Sequence, residues 1–347
     1  MSDRLSYKRA RLDSTDASNP TEGDQATSTT PLDGFVQNVN FWYEDGTIIL
    51  TAGNEAFKVY KGPLIEYSPV FRDMLSLPQP DSHQDQSCPI IPLSDAPLDV
   101  SCLLGVFMPS KRAILPFGLS HPPYPVVAAW IRLGHKYQID TLVEQSLRYL
   151  RTLYPDNVKQ LNKQPRFPAL CAIGVVNLAR LTGELSLLPV ALAECCTLGE
   201  KIVTGFAFPD GRREQLSAAD LGACFRAKDK IIARRVRAAE RMFRCLPEDC
   251  KREGGCEADM EFFLMFLMKG TIGSLCVPRV DISWSASAKK MYRLCSKCFE
   301  EVRAREEDEQ LQLFEELPSL FGIKVPGWNT GDAAPPNSDA PPPVAAD

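Results

Sequence analysis

The sequence predicts an α+β protein: a small sheet flanked by helical hairpins in the first half, followed by a mostly α-helical region. Between residues 57 and 74 the hydrophobic period changes. Strand-like alternation at Phe57 and Val59 gives way to helical spacing at Leu64, Tyr67, Val70, Phe71 and Met74. Two β-rich runs flank a Gly-Asn pair just before this point, and from about 156 to 324 the helical period dominates.

The elements follow in order. Residues 1–34 are rich in Ser, Thr, Asp and Gly with almost no large apolar residue, so they are expected to form a disordered arm. The runs Thr47 to Thr51 and Ala56 to Tyr60 flank Ala52-Gly53-Asn54-Glu55, a hairpin signal because Gly and Asn tolerate positive φ. Gly62-Pro63 then punctuates the chain, and Ser68-Pro69 reads as a cap and first-turn proline for a second short helix. A polar loop at 78–89 leads to IIPL at 90–93, whose β-branched pair suggests a further strand. In residues 94–108, Leu98, Cys102, Leu103 and Val106 share a helical face; a Pro-rich loop at 109–125 separates it from a long helical run expected to break near Tyr137-Gln138-Ile139-Asp140.

In the second half, PALCAIGVVNLARLTG ends on a glycine suited to a helix C-terminus, and SLLPVALAECC follows closely enough to pack as its antiparallel partner. Ser217 and Asp220 resemble a capping box. EFFLMFLM at 261–268 is expected to be buried nearly all round, and 331–347 is a Pro/Ala-rich tail without a hydrophobic period. The resulting division is arm 1–34, first domain 35–155, helical accessory domain 156–328 and disordered tail 329–347.

Composition narrows the function classes. The 347 residues, 44% hydrophobic, suit about two globular domains. No apolar run approaches the roughly 20 residues of a membrane span. The N-terminus lacks the apolar segment of a secretory signal, so a cytoplasmic or nuclear location and reduced cysteines are expected. With 39 basic against 44 acidic residues, net charge −5, the chain has no general field for nucleic acid or an anionic membrane. The basic run at 227–246 places Ile232, Val236, Ala239, Phe243 and Leu246 on an apolar stripe, with its arginines on the opposite, solvated face; nucleic-acid contact is not expected. KRAR at 8–11 matches a short nuclear-import pattern.

Among the twelve cysteines, Cys245, Cys250, Cys256 and the pair Cys295/Cys298 could supply four thiolates to zinc, which takes sulfur ligands tetrahedrally. The competing reading puts Met291, Leu294, Cys295, Cys298 and Val302 on one face of a single helix, where both CxxC cysteines are small core residues. A redox CxxC belongs at a helix N-terminus, whereas here the motif is expected inside the helix. His83, His121 and His135 stand near no nucleophile motif, and no phosphate-binding glycine loop occurs. No enzyme activity is expected, and no cofactor other than that zinc.

Strand hairpin, helical pair, strand, helix and helical pair, in this order, resemble a BTB/POZ domain. The resemblance is carried by DGTIIL at 45–50, Phe57, Val59, Lys61 and Leu64, SPVFRDM at 68–74, IIPLSD at 90–95 and LGHKYQIDTL at 133–142. It implies an interaction module whose surface binds other proteins, with a homodimer and transcriptional regulation as the family context. Asp45 and Lys61 match an acidic and a basic residue that line a charged groove at the dimer interface in transcriptional members. Tyr60 stands where the family often has His. The polar arm does not suit a strand-exchanged dimer. The alternative within the family is a substrate adaptor of a cullin ubiquitin ligase, but Leu98 to Met108 lacks the Glu of the cullin-binding motif. The alternative outside it is a zinc- or thiol-dependent enzyme using the Cys-rich second half. LCSKC at 294–298 and LPSLFGIKVPGW at 317–328 are similar to the C-terminal half of a group of fungal BTB proteins, which implies an accessory helical domain.

Overall fold

Strand β2 (Ile48–Ala52) is buried at every position, because neighbouring strands cover both its edges and both sheet faces are packed. Strand β3 (Glu55–Val59) pairs with it antiparallel, Ala52 opposite Glu55, through a turn in which Gly53 takes the left-handed region at φ +53°. The computed structural model describes residues 32, 34–77, 84–85, 88–108, 121–161, 167–244, 250–252, 254–269 and 284–329. Residues 1–31 and 33 of the expected arm, the tail from 330 onward, the KRAR pattern, His83 and Cys245 lie outside these described residues.

The fold is mixed α+β, with a small sheet near the N-terminus and helices through the rest. Strand β1 (Val36–Trp42) runs parallel to β3, and β5 (Cys88–Leu93) runs parallel to β2 with Ile49 opposite Ile90. With the short β4 (Gln84–Asp85), the sheet order is β1-β3-β2-β5-β4. Sequence reading misses β1, and its register explains why. The Asn38 side chain accepts from the Asn40 and Phe41 N–H groups at 3.1 and 3.2 Å, so an irregularity interrupts the alternation that signals a strand.

The hairpin of α1 (Lys61–Tyr67) and α2 (Pro69–Ser76) turns on Ser68. Its Oγ accepts from the Phe71 N–H at 3.0 Å, capping α2, and donates to the Tyr137 carbonyl at 2.6 Å. Tyr137 ends α4 (Tyr124–Lys136), and Gln138 at φ +54° makes the expected break before α5 (Asp140–Leu153). One buried hydroxyl thus fastens the first helical hairpin to the second; α3 (Pro97–Phe107) packs against α4.

In the second half, α6 (Ala172–Thr182) stops at Gly183, φ +73°, and α7 (Leu188–Cys196) packs on it. The short α8 (Lys201–Thr204) and a two-stranded ribbon, β6 (Phe206–Ala207) with β7 (Arg213–Glu214), precede α9 (Ala218–Arg244). Ser217 caps α9 by accepting from the Asp220 N–H at 3.1 Å. Helices α10 (Gly255–Lys269), α11 (Trp284–Met291) and α12 (Ser296–Phe321) follow.

Three expectations are corrected here. EFFLMFLM is buried on one side only: Phe263, Leu264 and Leu267 face α9, while Phe262, Met265, Phe266 and Met268 are exposed. The segment around Cys295 is two helices, because Cys295 is extended at φ −66°, ψ 163° and separates α11 from α12. The α9 arginines do not form one solvated face. Arg234 binds Glu316 and Gln312 of α12, Arg241 binds Glu309, and buried Arg235 lies over the Trp284 ring at 4.9 Å.

The first core runs without interruption from Phe41 of the sheet through α4 and α5 to α6, α7, the first half of α9 and Phe314, Leu317 and Phe321 of α12. Leu153, Tyr154, Cys171 and Ile173 share it across position 155. A second, smaller core joins the end of α9 to α10, α11 and the first half of α12. Ile49, Ala56, Cys88 and Ile90 fill the other face of the sheet under Phe35 and Trp42. Among the described residues, no helix is long and apolar enough to cross a membrane.

Candidate functional site

Four cysteines converge at the edge of the second core. Cys250 precedes α10, Cys256 lies in its first turn, Cys295 is the N-cap of α12 and Cys298 lies in the first turn of that helix. Their Sγ atoms all lie within 4.8 Å of one another. The Cys250 and Cys298 sulfurs are 3.4 Å apart. A tetrahedral ion with Zn–S bonds of about 2.3 Å sets its sulfurs about 3.8 Å apart, so small side-chain movements would suffice to close the shell. This group could bind a metal ion.

The backbone supports sulfur charge at this point. The Cys295 N–H donates to Cys256 Sγ at 3.3 Å. The Cys298 N–H, together with that of Lys251, holds the Cys295 thiol down to about 6. Burial pushes the Cys256 and Cys298 thiols the other way. Four thiolates this close repel one another, and a divalent cation is the partner that removes the conflict. Arg252 ties the connector in place through Asp259 at 3.1 Å and the Arg293 carbonyl.

Of the cysteines singled out from sequence, Cys250, Cys256, Cys295 and Cys298 meet here, with Cys256 completing a set that Cys245, outside the described residues, was expected to join. The CxxC occupies a helix N-terminus after all, which is the position a redox motif requires. The two further sulfurs within 4.8 Å distinguish it from an isolated dithiol.

Asp45 and Lys61 are both exposed beside the sheet. Asp45 accepts from the Tyr60 hydroxyl at 2.7 Å, and the Tyr60 ring lies 4.9 Å from that of Tyr43. The Lys61 N–H donates to Thr47 Oγ1 at 2.9 Å, and among the described residues no ion pair joins Lys61 to Asp45. Asp45 is oriented by its own chain, whereas the Lys61 ammonium faces solvent. His121 and His135 are exposed.

A charged seam that sequence reading misses joins α3 and α4 to the β6–β7 ribbon. Asp99 of α3, its side chain 5% exposed, accepts from both Arg212 guanidinium nitrogens at 2.9 and 2.8 Å and pairs with Arg132 of α4 at 3.3 Å. Arg132 also pairs with Glu214, which accepts from the Tyr124 hydroxyl at 2.9 Å. Burial raises the Glu214 carboxyl above its usual range. Phe208 lies between the two arginines, 4.9 Å from Arg132 and 5.0 Å from Arg212. The partners are up to 113 positions apart and follow no period, so no local signal announces them.

No family model, curated protein or solved structure matches the chain.

Proposed function

We propose that the chain is a non-enzymatic adaptor or scaffold that binds other proteins through a BTB/POZ-like module at 35–155. In this reading 156–328 is an accessory helical region, and zinc is the structural ion of the cysteine cluster. The observation that carries the proposal is the order of elements. A strand hairpin with a parallel β5, a helical hairpin hinged at Ser68, α3 and a second hairpin broken at Gln138 succeed one another as the family resemblance implies. Transcriptional regulation is the context that resemblance suggests, in the nucleus or cytoplasm.

Two features favour binding over catalysis. Four sulfur donors fill the tetrahedral shell of zinc, whereas catalytic zinc sites keep one position for water or substrate. The buried charges of the seam are occupied with one another in ion pairs that hold structure. No observation favours a cullin as the partner.

The mode of binding is a two-fold contact in which Asp45 of each copy meets Lys61 of the other. Such a contact is self-complementary, and a charge of the wrong sign leaves one group unpaired. Sedimentation equilibrium of the full chain at low salt tests it. Asp45→Lys is expected to weaken self-association by about tenfold or more, and Asp45→Lys with Lys61→Asp to recover most of it. Equal association of all three proteins would remove this pair from the interface.

A further inference from the structure

We infer that the ion at Cys250, Cys256, Cys295 and Cys298 is the element that folds the second core, so that the end of the helical half is a metal-conditional unit beside a first core that stands without it. This rests on the zinc reading of the cysteine cluster.

The composition of the second core is the first argument. It gathers Ala238 to Phe243 of α9, Cys256 to Leu267 of α10, Trp284 and Ala288 of α11, and Cys298, Val302 and Leu313 of α12. Two of these buried residues are themselves metal donors, and three more are alanines. The same region buries Arg235, Ser285, Glu306 and Glu309. Glu306 accepts from the Trp284 and Ser285 N–H groups and caps α11 from another helix, so that α11 depends on α12 being in place. Among the described residues this core is small and holds much charge, which leaves it little apolar area with which to offset the ordering of four helical segments.

Connectivity is the second argument. Cys256 and Cys295 are 39 positions apart, and Cys250 and Cys298 are 48 apart. One ion therefore fastens the connector before α10, the start of α10 and the start of α12 to a single point. The longer of the two loops so closed, from Cys250 to Cys298, contains the whole of α10 and α11. Structural zinc sites of this kind supply folding free energy directly.

The third argument sets the limit of the effect. Helices α9 and α12 each pass through both cores, with Ala223, Ala227 and Ile231 of α9 and Phe314, Leu317 and Phe321 of α12 in the first. Loss of the ion would release the far ends of these helices while the near ends stay anchored, so unfolding is expected to stop part-way along each.

The test uses the full chain expressed with zinc. Metal content is measured by mass spectrometry, and hydrogen exchange is followed before and after removal of the metal by a strong chelator. We expect one zinc per chain. On removal, exchange should be faster by on the order of a hundredfold across 236–244, 256–267 and 298–312, and unchanged across 48–59 and 172–196. Cys298→Ser should reproduce this without chelator, whereas Cys295→His, which keeps a zinc-competent donor, should retain the metal and the slow exchange. Bound zinc with no change in exchange on its removal would leave the zinc reading intact and overturn the folding role. Exchange rising throughout the chain would overturn the independence of the first core. Absence of stoichiometric metal would overturn both readings.

Discussion

Replacing Gly174 with alanine is expected to destabilise the protein by about 3 kcal/mol, one of the largest losses from adding a single methyl group anywhere in the first core. A Cβ at this position of α6 would overlap the Tyr124 hydroxyl and ring and the Glu214 carboxylate. None of these groups can move freely. Tyr124 is buried among Phe167, Phe206 and Phe208, and its hydroxyl donates to Glu214, which is itself held by Arg132. A flexible surface side chain would swing aside, but here the methyl group must displace an aromatic ring and an ion pair together. Urea unfolding of the full chain measures the loss. Tyr124→Phe in the same background removes the atom in closest conflict, so the double variant should be more stable than the sum of the two single changes predicts. Additive effects would show that α6 shifts as a body and that the hydroxyl is not the obstacle.

The second large effect is expected at Asp99. Alanine there removes the carboxylate that sits between Arg212 and Arg132 and leaves both guanidinium groups beside Phe208. Stripping one partner from a buried ion pair costs about 3–5 kcal/mol. The lower end applies, because the Arg132 and Arg212 side chains keep 22% and 37% exposure and can turn partly toward water, while Arg132 retains Glu214. Thermal unfolding reads the change. Asp99→Ala combined with Arg212→Met should recover part of the loss, since the apolar stem still covers Phe208 and the stranded guanidinium is removed, while Asp210, which loses its pair with Arg212, is 25% exposed and can turn to water.

What the sequence made legible was local. The Gly53-Asn54 turn, the Ser68 and Ser217 caps, the Gly183 stop and the break at Gln138 each depend on residues within about four positions, and each lies where the residue types place it. The less legible features depend on partners far along the chain. Strand β1 carries two asparagines where a strand signal needs alternation, and only its distant neighbour β3 makes it a strand. The α9 arginines look like a solvent-facing set until α12 returns with Gln312 and Glu316. The exposed side of α10 misleads for the opposite reason: a uniformly apolar run gives no clue to which side is covered.

The cysteine cluster lies between these cases. Its residue types were visible, and the CxxC marked half of a site. Its position at a helix N-terminus was not, because the apolar residues from Met291 to Val302 keep helical spacing across a break made by the extended backbone at Cys295. Which cysteines meet was settled by the return of α12 to the start of α10, with Cys256 delivered by the first turn of that helix.

The proposal that this chain works by binding proteins is tested most directly by affinity isolation of the tagged full-length protein from its own cells, alongside the Asp45→Lys variant. Co-isolating proteins are identified and quantified by mass spectrometry. The account predicts that the wild-type chain brings down its untagged copy, or another protein in comparable amount, and that the variant loses it. A cullin in near-equal amount would place the chain among ubiquitin-ligase adaptors. A wild-type isolate with no protein at comparable amount, indistinguishable from that of the variant, would contradict the account.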